Sequence, residues 1–388
     1  MVDFALSEVE ELVAQTARDY AQRELAPLAS NRDKNDTFPV SELMKLAELG
    51  LLGVNVPEKF GGAEAGSVAY ALVMVELARA CPSTSVAVAV TNMAAELISR
   101  FGTEEQGEKI VGRIVSGDAC CAAFALSEPQ CGSDASALQT RAERHPDGWM
   151  INGTKQWITS GDKAGTIVVW ARTSVDAGAR GLSAFVFERD PAVEYPGLSI
   201  GRHEDKMGLR GSSTVPLIFE NCVLPADALL GNEGDGFKLA MVALDGGRIG
   251  IGAQALGIGL SALEQAVAYA KERKTFGKLI GQHQGIQWML ADAATELEMS
   301  RLLVMRAASL KQAGLPFTKE ASMAKLHASE TANRVCFDSL QIHGGYGYTK
   351  DYPLERMSRD ARVTTIYEGT SEIQRLVIGR SILQQFSR

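Results

Sequence analysis

The sequence predicts an α+β multidomain chain, with a helical N-terminal domain, a β domain in the middle and a helical C-terminal domain. Three observations carry this. Up to about position 118 apolar residues recur at helical spacing, from about 119 to 232 they fall in short strand-like runs, and helical spacing returns beyond Gly236. No strand–helix–strand alternation runs through the chain, which excludes a doubly wound parallel sheet. The expected boundaries are 1–118, 119–232 and 233–388.

In the first domain Val9, Leu12, Val13 and Thr16 mark one helical stripe, and Leu43, Leu46 and Leu49 another. Gly53, Pro57, Gly61 and Gly62 punctuate a loop before a helix over about 67–80. In the second domain Asn152-Gly153, flanked by Trp149, Ile151 and Trp157, predicts a hairpin turn. Runs at 167–170, 182–187 and 215–219 predict strands. In the third, Leu260, Leu263, Val267 and Ala270 form one stripe, and Ile286, Met289, Leu290, Ala293 and Leu297 a second. Gly250-Ile251-Gly252-Ala253-Gln254-Ala255 imitates a dinucleotide fingerprint, but it lies inside a helical stretch with no strand before it. Each Gly within a helix costs roughly 1 kcal/mol relative to Ala, so these small residues, continuing to Gly257 and Gly259, predict close packing.

Composition narrows the function. The 388 residues suffice for two or three domains, and 46% hydrophobic with 22% charged residues is the mixture of a soluble globular chain. A net charge of −8 with no long basic run argues against a nucleic-acid partner and against attachment to an anionic membrane. Met1 to Glu8 carry no positive n-region and no apolar core, so no secretory leader is expected, and no run approaches a membrane span. Six scattered cysteines without a CxxC suit a reducing compartment, the bacterial cytoplasm or, for a processed chain, the mitochondrial matrix. No metal site is expected.

Near the C-terminus Glu368 falls at a break between an extended run (363–367) and an amphipathic helix (371–383). Thr370 or Ser371 can cap that helix, with Glu372 and Gln374 completing a capping-box pattern, and Gly369 allows a ligand close to the backbone. This is a good place for a general base. An ordinary solvated Glu in a turn fits the same spacing.

Several separated motifs occur in one order: Phe124-Ala125-Leu126-Ser127-Glu128-Pro129 with Gly132-Ser133-Asp134; Trp157-Ile158-Thr159; Leu244-Asp245-Gly246-Gly247-Arg248; Arg273, Phe276-Gly277 and Gln284; Gln341-Ile342-His343-Gly344-Gly345; and Tyr367-Glu368-Gly369-Thr370-Ser371. Together they resemble the acyl-CoA dehydrogenase flavoproteins along essentially the whole chain, and Arg210-Gly211-Ser212-Ser213 looks most like the short-chain, butyryl-type branch. The resemblance implies a central β-barrel-like domain, a C-terminal four-helix bundle, non-covalent FAD and a homotetramer. It implies that Glu368 takes the α-proton of an acyl-CoA while the β-hydrogen passes as hydride to flavin N5 and onward to electron-transfer flavoprotein. No side chain accepts a hydride, so an organic cofactor is required.

The same resemblance assigns cofactor contacts to Phe124, Leu126, Ser127, Gly132, Ser133, Trp157, Ile158, Thr159, Arg273, Phe276, Gln284, Gln341, Gly344, Gly345, Thr370 and Glu372, those of Gln341, Gly344 and Gly345 reaching a neighbouring subunit. Substrate contacts fall to Ser133, Asp245, Arg248, Tyr367 and Gly369. Taken singly, Trp157 also fits a hairpin core and Arg273 a charge at a helix C-terminus. Gln130 and Cys131 depart from the family's Gly-Ala, which puts the mouth near Ser133 in question. Some branches carry the base one position before Arg248; that position is Gly247 here, leaving Glu368.

The stretch from Cys81 to Ser99, expected to form the acyl pocket, holds Val86, Val88, Val90, Ala94 and Ala95 and no Lys or Arg before Arg100. It favours a hydrophobic short- or branched-chain acyl group over a dicarboxylate. A flavin oxidase or monooxygenase on the same scaffold, and a non-catalytic acyl-CoA-binding flavoprotein, are the competing readings.

Overall fold

The computed structural model describes residues 5–385; Met1–Phe4, part of the segment read for a leader, lie outside them. The N-terminal region contains α1 (Glu8–Tyr20), α2 (Ala29–Asn35), α3 (Val40–Glu48), α4 (Gly66–Ala80), α5 (Pro82–Phe101), the single turn α6 (Glu104–Gln106) and α7 (Gly112–Ser116). Ser7 and Glu10 cap α1 reciprocally, at 3.3 and 2.8 Å. The face α1 buries is not the predicted stripe. Ala17 and Tyr20 are buried while Val9 and Leu12 are more than half exposed, because α1 lies on α4 through its small residues and Glu10 meets Gln312. Leu43 and Leu46 are buried and Leu49, at the end of α3, is not. Helices α4 and α5 are buried on nearly every side, as their continuous apolar runs require.

Eight strands follow: β1 (Ala122–Ala125), β2 (Arg141–His145), β3 (Gly148–Thr159), β4 (Thr166–Arg172), β5 (Leu182–Glu188), β6 (Leu198–Ile200), β7 (Thr214–Pro225) and β8 (Leu229–Leu230). They form one sheet in the order β6-β7-β3-β2-β4-β5-β8, with β1 parallel to β4. Strand β4 is buried on both faces. Ile167 and Val169 join Trp149, Phe185, Phe187 and Phe219 in one core, while Val168 and Trp170 join a second core with α5 and the helix after the sheet. The sheet is thereby clamped to the helices.

One local expectation fails here. The hairpin turn lies at Pro146-Asp147, where His145 pairs with Gly148, and Asn152-Gly153 lies within β3. Gly153 has φ 147° at a register shift, and Asn152 accepts the Asn221 N–H at 2.7 Å. A glycine at positive φ serves a bulge as well as a primed turn, so the same dipeptide signals either.

The C-terminal region comprises α8 (Gly236–Glu272), a two-stranded hairpin of β9 (Lys274–Thr275) and β10 (Lys278–Leu279), α9 (Gln284–Gln312), α10 (Thr318–His343), α11 (Leu354–Arg362) and α12 (Ser371–Gln385). The glycines of α8 admit close neighbours. A Cβ on Gly250 would lie 2.4 Å from the Tyr70 hydroxyl, and one on Gly257 would lie 2.3 Å from the Val75 carbonyl. Packing explains the false fingerprint. The run expected to be extended, 363–367, is instead a 3₁₀ turn over Val363–Thr365, with the Ile366 and Tyr367 N–H groups bonded to the Val363 carbonyl. The Thr364 and Thr365 hydroxyls donate back to the Ala361 and Arg362 carbonyls, satisfying locally what a partner strand would otherwise supply.

Candidate active site

Glu368 and Gly369 both take left-handed backbone conformations, φ 51° and 92°. A Cβ on Gly369 would fall 2.6 Å from the Gln374 amide, so the turn is tight as well as left-handed. Thr370 accepts the Ile373 N–H at 3.3 Å and caps α12. Gln374, expected to complete a capping box, instead donates to the carbonyls of Glu368 (3.2 Å) and Gly369 (2.9 Å). Lys325 of α10 donates to the Gly369 carbonyl at 2.7 Å. Three side chains thus hold a strained two-residue turn in one shape.

The turn aims the Glu368 carboxyl inward. Its Oε2 is buried and has no hydrogen-bond partner among the described residues. Burial pushes this carboxyl up to about 7, against the pull of Lys325 and Arg248. Gly247 of α8 lies directly opposite: a Cβ there would be 1.9 Å from Oε2 and 3.0 Å from the Met93 sulfur. Glu368 and the alternative position before Arg248 that the resemblance offered therefore meet at one point, and Gly247 leaves the space that Glu368 fills. Gly247→Ala is expected to displace the carboxylate and lower turnover roughly 10²-fold with the fold intact; steady-state kinetics beside circular dichroism checks this.

Around Glu368, Tyr367 donates its hydroxyl to Gln254, which donates to the Pro82 carbonyl at 3.0 Å. Arg248 is buried and turned onto Asp245 (2.5 Å), which also accepts from Thr318 (2.5 Å). Desolvation holds the Arg248 guanidinium below its ordinary value and raises the Asp245 carboxyl. Arg248 Nε has no partner among the described residues, and Asp245 is the more exposed member of the pair.

A second group lies on the sheet. The Gln156 N–H donates to the Ser127 carbonyl (2.9 Å), fastening the loop after β1 to β3. Below it Glu128 accepts from Lys155 (2.7 Å) and from the N–H groups of Gln139 (2.6 Å) and Thr140 (2.9 Å), while Lys155 also donates to the Leu126 carbonyl. A register shift between Lys155 and Ile158 turns Trp157 outward at φ 64°, leaving its indole 60% exposed. Trp157 is not a hairpin core residue. Thr159 is half-buried, Ser133 and Gly132 are exposed, and a Cβ on Gly132 would meet nothing within 4 Å. An outward aromatic beside hydroxyls and open backbone is the cradle a flat heterocycle such as isoalloxazine needs, so these residues fit FAD. The Ile158 side chain lies in the core, and Phe124 packs on Trp170 at 4.2 Å between ring centroids. Gln130 folds back onto Glu128 (2.6 Å) and Cys131 is buried, so these departures reinforce the loop and leave its mouth open.

The remaining expected cofactor residues do not join this group in one protomer. Arg273 lies over Tyr346 at 5.7 Å, and the hairpin beyond it ends in Phe276, 96% exposed at φ 50°. Gln284, Gln341, Gly344, Gly345 and Glu372 are all exposed. Sequence reasoning missed Lys325, Tyr70, Met93 and Lys155, and gave Gln374 only a capping role. One signal was available for Lys325: it shares a helical face with Ala321, Ala328 and Ala332, where a charge is out of place.

Family models described as acyl-CoA dehydrogenase N-terminal, middle and C-terminal domains match residues 7–118, 123–222 and 234–383. The chain belongs to the acyl-CoA dehydrogenase family. It is 46% identical over 386 residues to an acryloyl-CoA reductase (NADH) of Anaerotignum propionicum, covering 99% of this chain and 97% of that one. It is 48% identical over 382 residues to the mitochondrial short-chain specific acyl-CoA dehydrogenase of Bos taurus, covering 98% and 92%. A solved chain from work on the electron transferring flavoprotein of Acidaminococcus fermentans and flavin-based electron bifurcation superposes with a TM-score of 0.96 at 44% identity, covering 98% of this chain and 100% of that one.

In this acyl-CoA dehydrogenase chain a narrow cavity of about 30 Å³ opens beside Gly247. From α5 it takes Met93, Glu96, Leu97 and Arg100, one helical face, while Val88, Ala94 and Ala95 are packed in the core. Tyr70, Ala243, Gly246 and Phe317 complete the apolar part, and Lys311 enters from α9 paired with Glu96 at 2.7 Å. Two cations therefore border the cavity. Residues 81–99 supply only part of this wall, so their lack of a cation does not exclude a dicarboxylate.

Proposed function

We propose that the protein catalyses FAD-dependent α,β-dehydrogenation of a short- or branched-chain acyl-CoA to the 2-enoyl-CoA, passing the electrons to electron-transfer flavoprotein. One observation carries the reading: a buried carboxyl oxygen without a partner, held by a strained turn beside an apolar cavity. Such an atom is left free to take a proton from a bound substrate. Ionised Glu368 removes the α-proton of a thioester laid against Gly247 and Met93. The Glu368 N–H, engaged by no acceptor among the described residues, is placed to donate to the thioester oxygen as negative charge grows there. FAD, when bound, supplies the two-electron acceptor for the β-hydrogen. Ser127, Ser133, Trp157 and Thr159 would hold its ring, and Arg273, Gln284, Gln341, Gly344 and Gly345 would serve a site completed by a second protomer of a homotetramer. Exposed Phe276, Trp288 and Phe337 are the apolar surface such an assembly would cover. Among the described residues no helix is long and apolar enough to cross a membrane; the reducing surroundings proposed are the bacterial cytoplasm or the mitochondrial matrix. The acryloyl-CoA reductase relative supports a reverse reading, in which protonated Glu368 returns the α-proton.

Anaerobic mixing with straight, branched and aryl-substituted acyl-CoAs tests the reaction. Flavin bleaching without oxygen supports it, fast peroxide formation in air points to an oxidase, and binding without bleaching to an inert flavoprotein. The base acts ionised, so kcat/KM is expected to fall about tenfold per unit as pH drops below about 7 and to level off above it. Initial rates from pH 5 to 9 check the sign and the midpoint.

A further inference from the structure

We infer that Lys325 is a positioning residue for this reaction, its ammonium both holding the Glu368–Gly369 turn and setting a positive charge beside the Glu368 carboxyl. The inference rests on Glu368 being the base. Lys325 is fully buried in the middle of α10, surrounded on its own helix face by Ala321, Ser322, Ala324, Ala328 and Ser329. These small residues bring α10 close to α8: a Cβ on Gly252 would meet the Ala324–Lys325 backbone at 3.4 Å. A buried ammonium among alanines is costly to desolvate, and a purely structural helix would carry Leu or Met here. Its Nζ donates to the Gly369 carbonyl at 2.7 Å, one residue from the Glu368 carboxyl.

The surroundings leave Lys325 a specific electrostatic task. Glu368 is faced by Lys325 from α10, by Arg248 from α8 and by the hydroxyls of Tyr70 and neighbouring Tyr367. Lys325 is faced in turn by Arg248, by Glu372 of α12 and by Glu330 of its own helix. Arg248 already pairs with Asp245 at 2.5 Å, whereas no carboxylate is bonded to Lys325 Nζ among the described residues. The ammonium is therefore the less committed of the two cations beside Glu368. Burial holds it down to about 8, so at neutral pH it remains mostly charged.

Lys325→Met removes charge and donor at similar length; Lys325→Arg restores both. The probe is a 3-thiaacyl-CoA, whose sulfur at the β position leaves no β-hydrogen to transfer, so α-hydrogen exchange in D2O reads the base alone. In Lys325→Met the pH of half-maximal exchange is expected to rise by about one unit or more, with exchange at pH 7 reduced roughly five- to tenfold. In Lys325→Arg it is expected to stay within about half a unit of the parent, because an opposite charge beside the carboxylate is retained. An unchanged midpoint in Lys325→Met overturns the inference even if the rate falls, since a merely structural role would leave the midpoint alone. If Lys325→Met does not fold, a folded Lys325→Arg with its midpoint raised by a full unit overturns it equally. Glu368→Gln serves as control: exchange persisting there would remove the base assignment itself, a distinct failure.

Discussion

Glu368→Gln is expected to retain FAD and fold while losing at least ~10²–10⁴ in turnover, the range for removal of a general base. Gln keeps the shape of the side chain and its contacts with the strained turn, but its amide takes no proton. A second effect runs the other way. The folded-state carboxyl is raised from 4.5 to about 7, so its favourable neutral form is present at low pH and is lost as pH rises through about 7. At 1.36 kcal/mol per unit the ionised group costs roughly 3 kcal/mol above that pH, as an upper figure. Glu368→Gln should therefore be more stable than the parent at pH 8 and little different near pH 4. Near-normal turnover in the variant would sink the assignment, and denaturant melts at the two pH values check the stability.

Lys155→Met is expected to have the largest effect on stability. Lys155 and Glu128 form a fully buried pair at 2.7 Å. At the ammonium desolvation wins over attraction, and it is held down to about 8. At the carboxylate the ammonium and two backbone N–H groups win over desolvation, and it is held at about 2. Removing Lys155 leaves a buried carboxylate without its counter-charge, a change that costs about 3–5 kcal/mol. Glu128 contributes stability above its unfolded value of 4.5, lost as pH falls toward about 2, so in the parent acid unfolding should track this group. The same pair anchors the loop bearing Ser127 and Ser133, so the variant should also release FAD more readily. Urea titration and flavin content after gel filtration check both; an unchanged midpoint with full flavin would show that the pair is dispensable.

Much of the fold was legible because burial writes periodicity into sequence. The two-faced burial of β4 appears as the unbroken run Ile167–Trp170, and the contact of α8 with α4 appears as its glycines. Expectations failed where one local signal serves two structures. Asn152-Gly153 marks positive φ, which a bulge uses as well as a turn, and the β-branched residues 363–366 favour a strand only when another strand is beside them. The stripe on α1 shows where apolar residues lie, not which of them a neighbour covers.

Glu368 was readable as a candidate base from its turn, and the family from motifs in order along the chain. By itself the sequence determined the succession of helices and strands and the residue types available for chemistry, since these follow from local spacing. Only the tertiary structure decided that Gly247 faces Glu368, that Lys311 reaches the cavity from another helix, and that Lys325 and Gln374 hold the turn. These residues are separated from their partners by up to 215 positions, as between Glu96 and Lys311. A contact across that distance is fixed by how helices pack, and a single chain of letters carries no periodicity that records it.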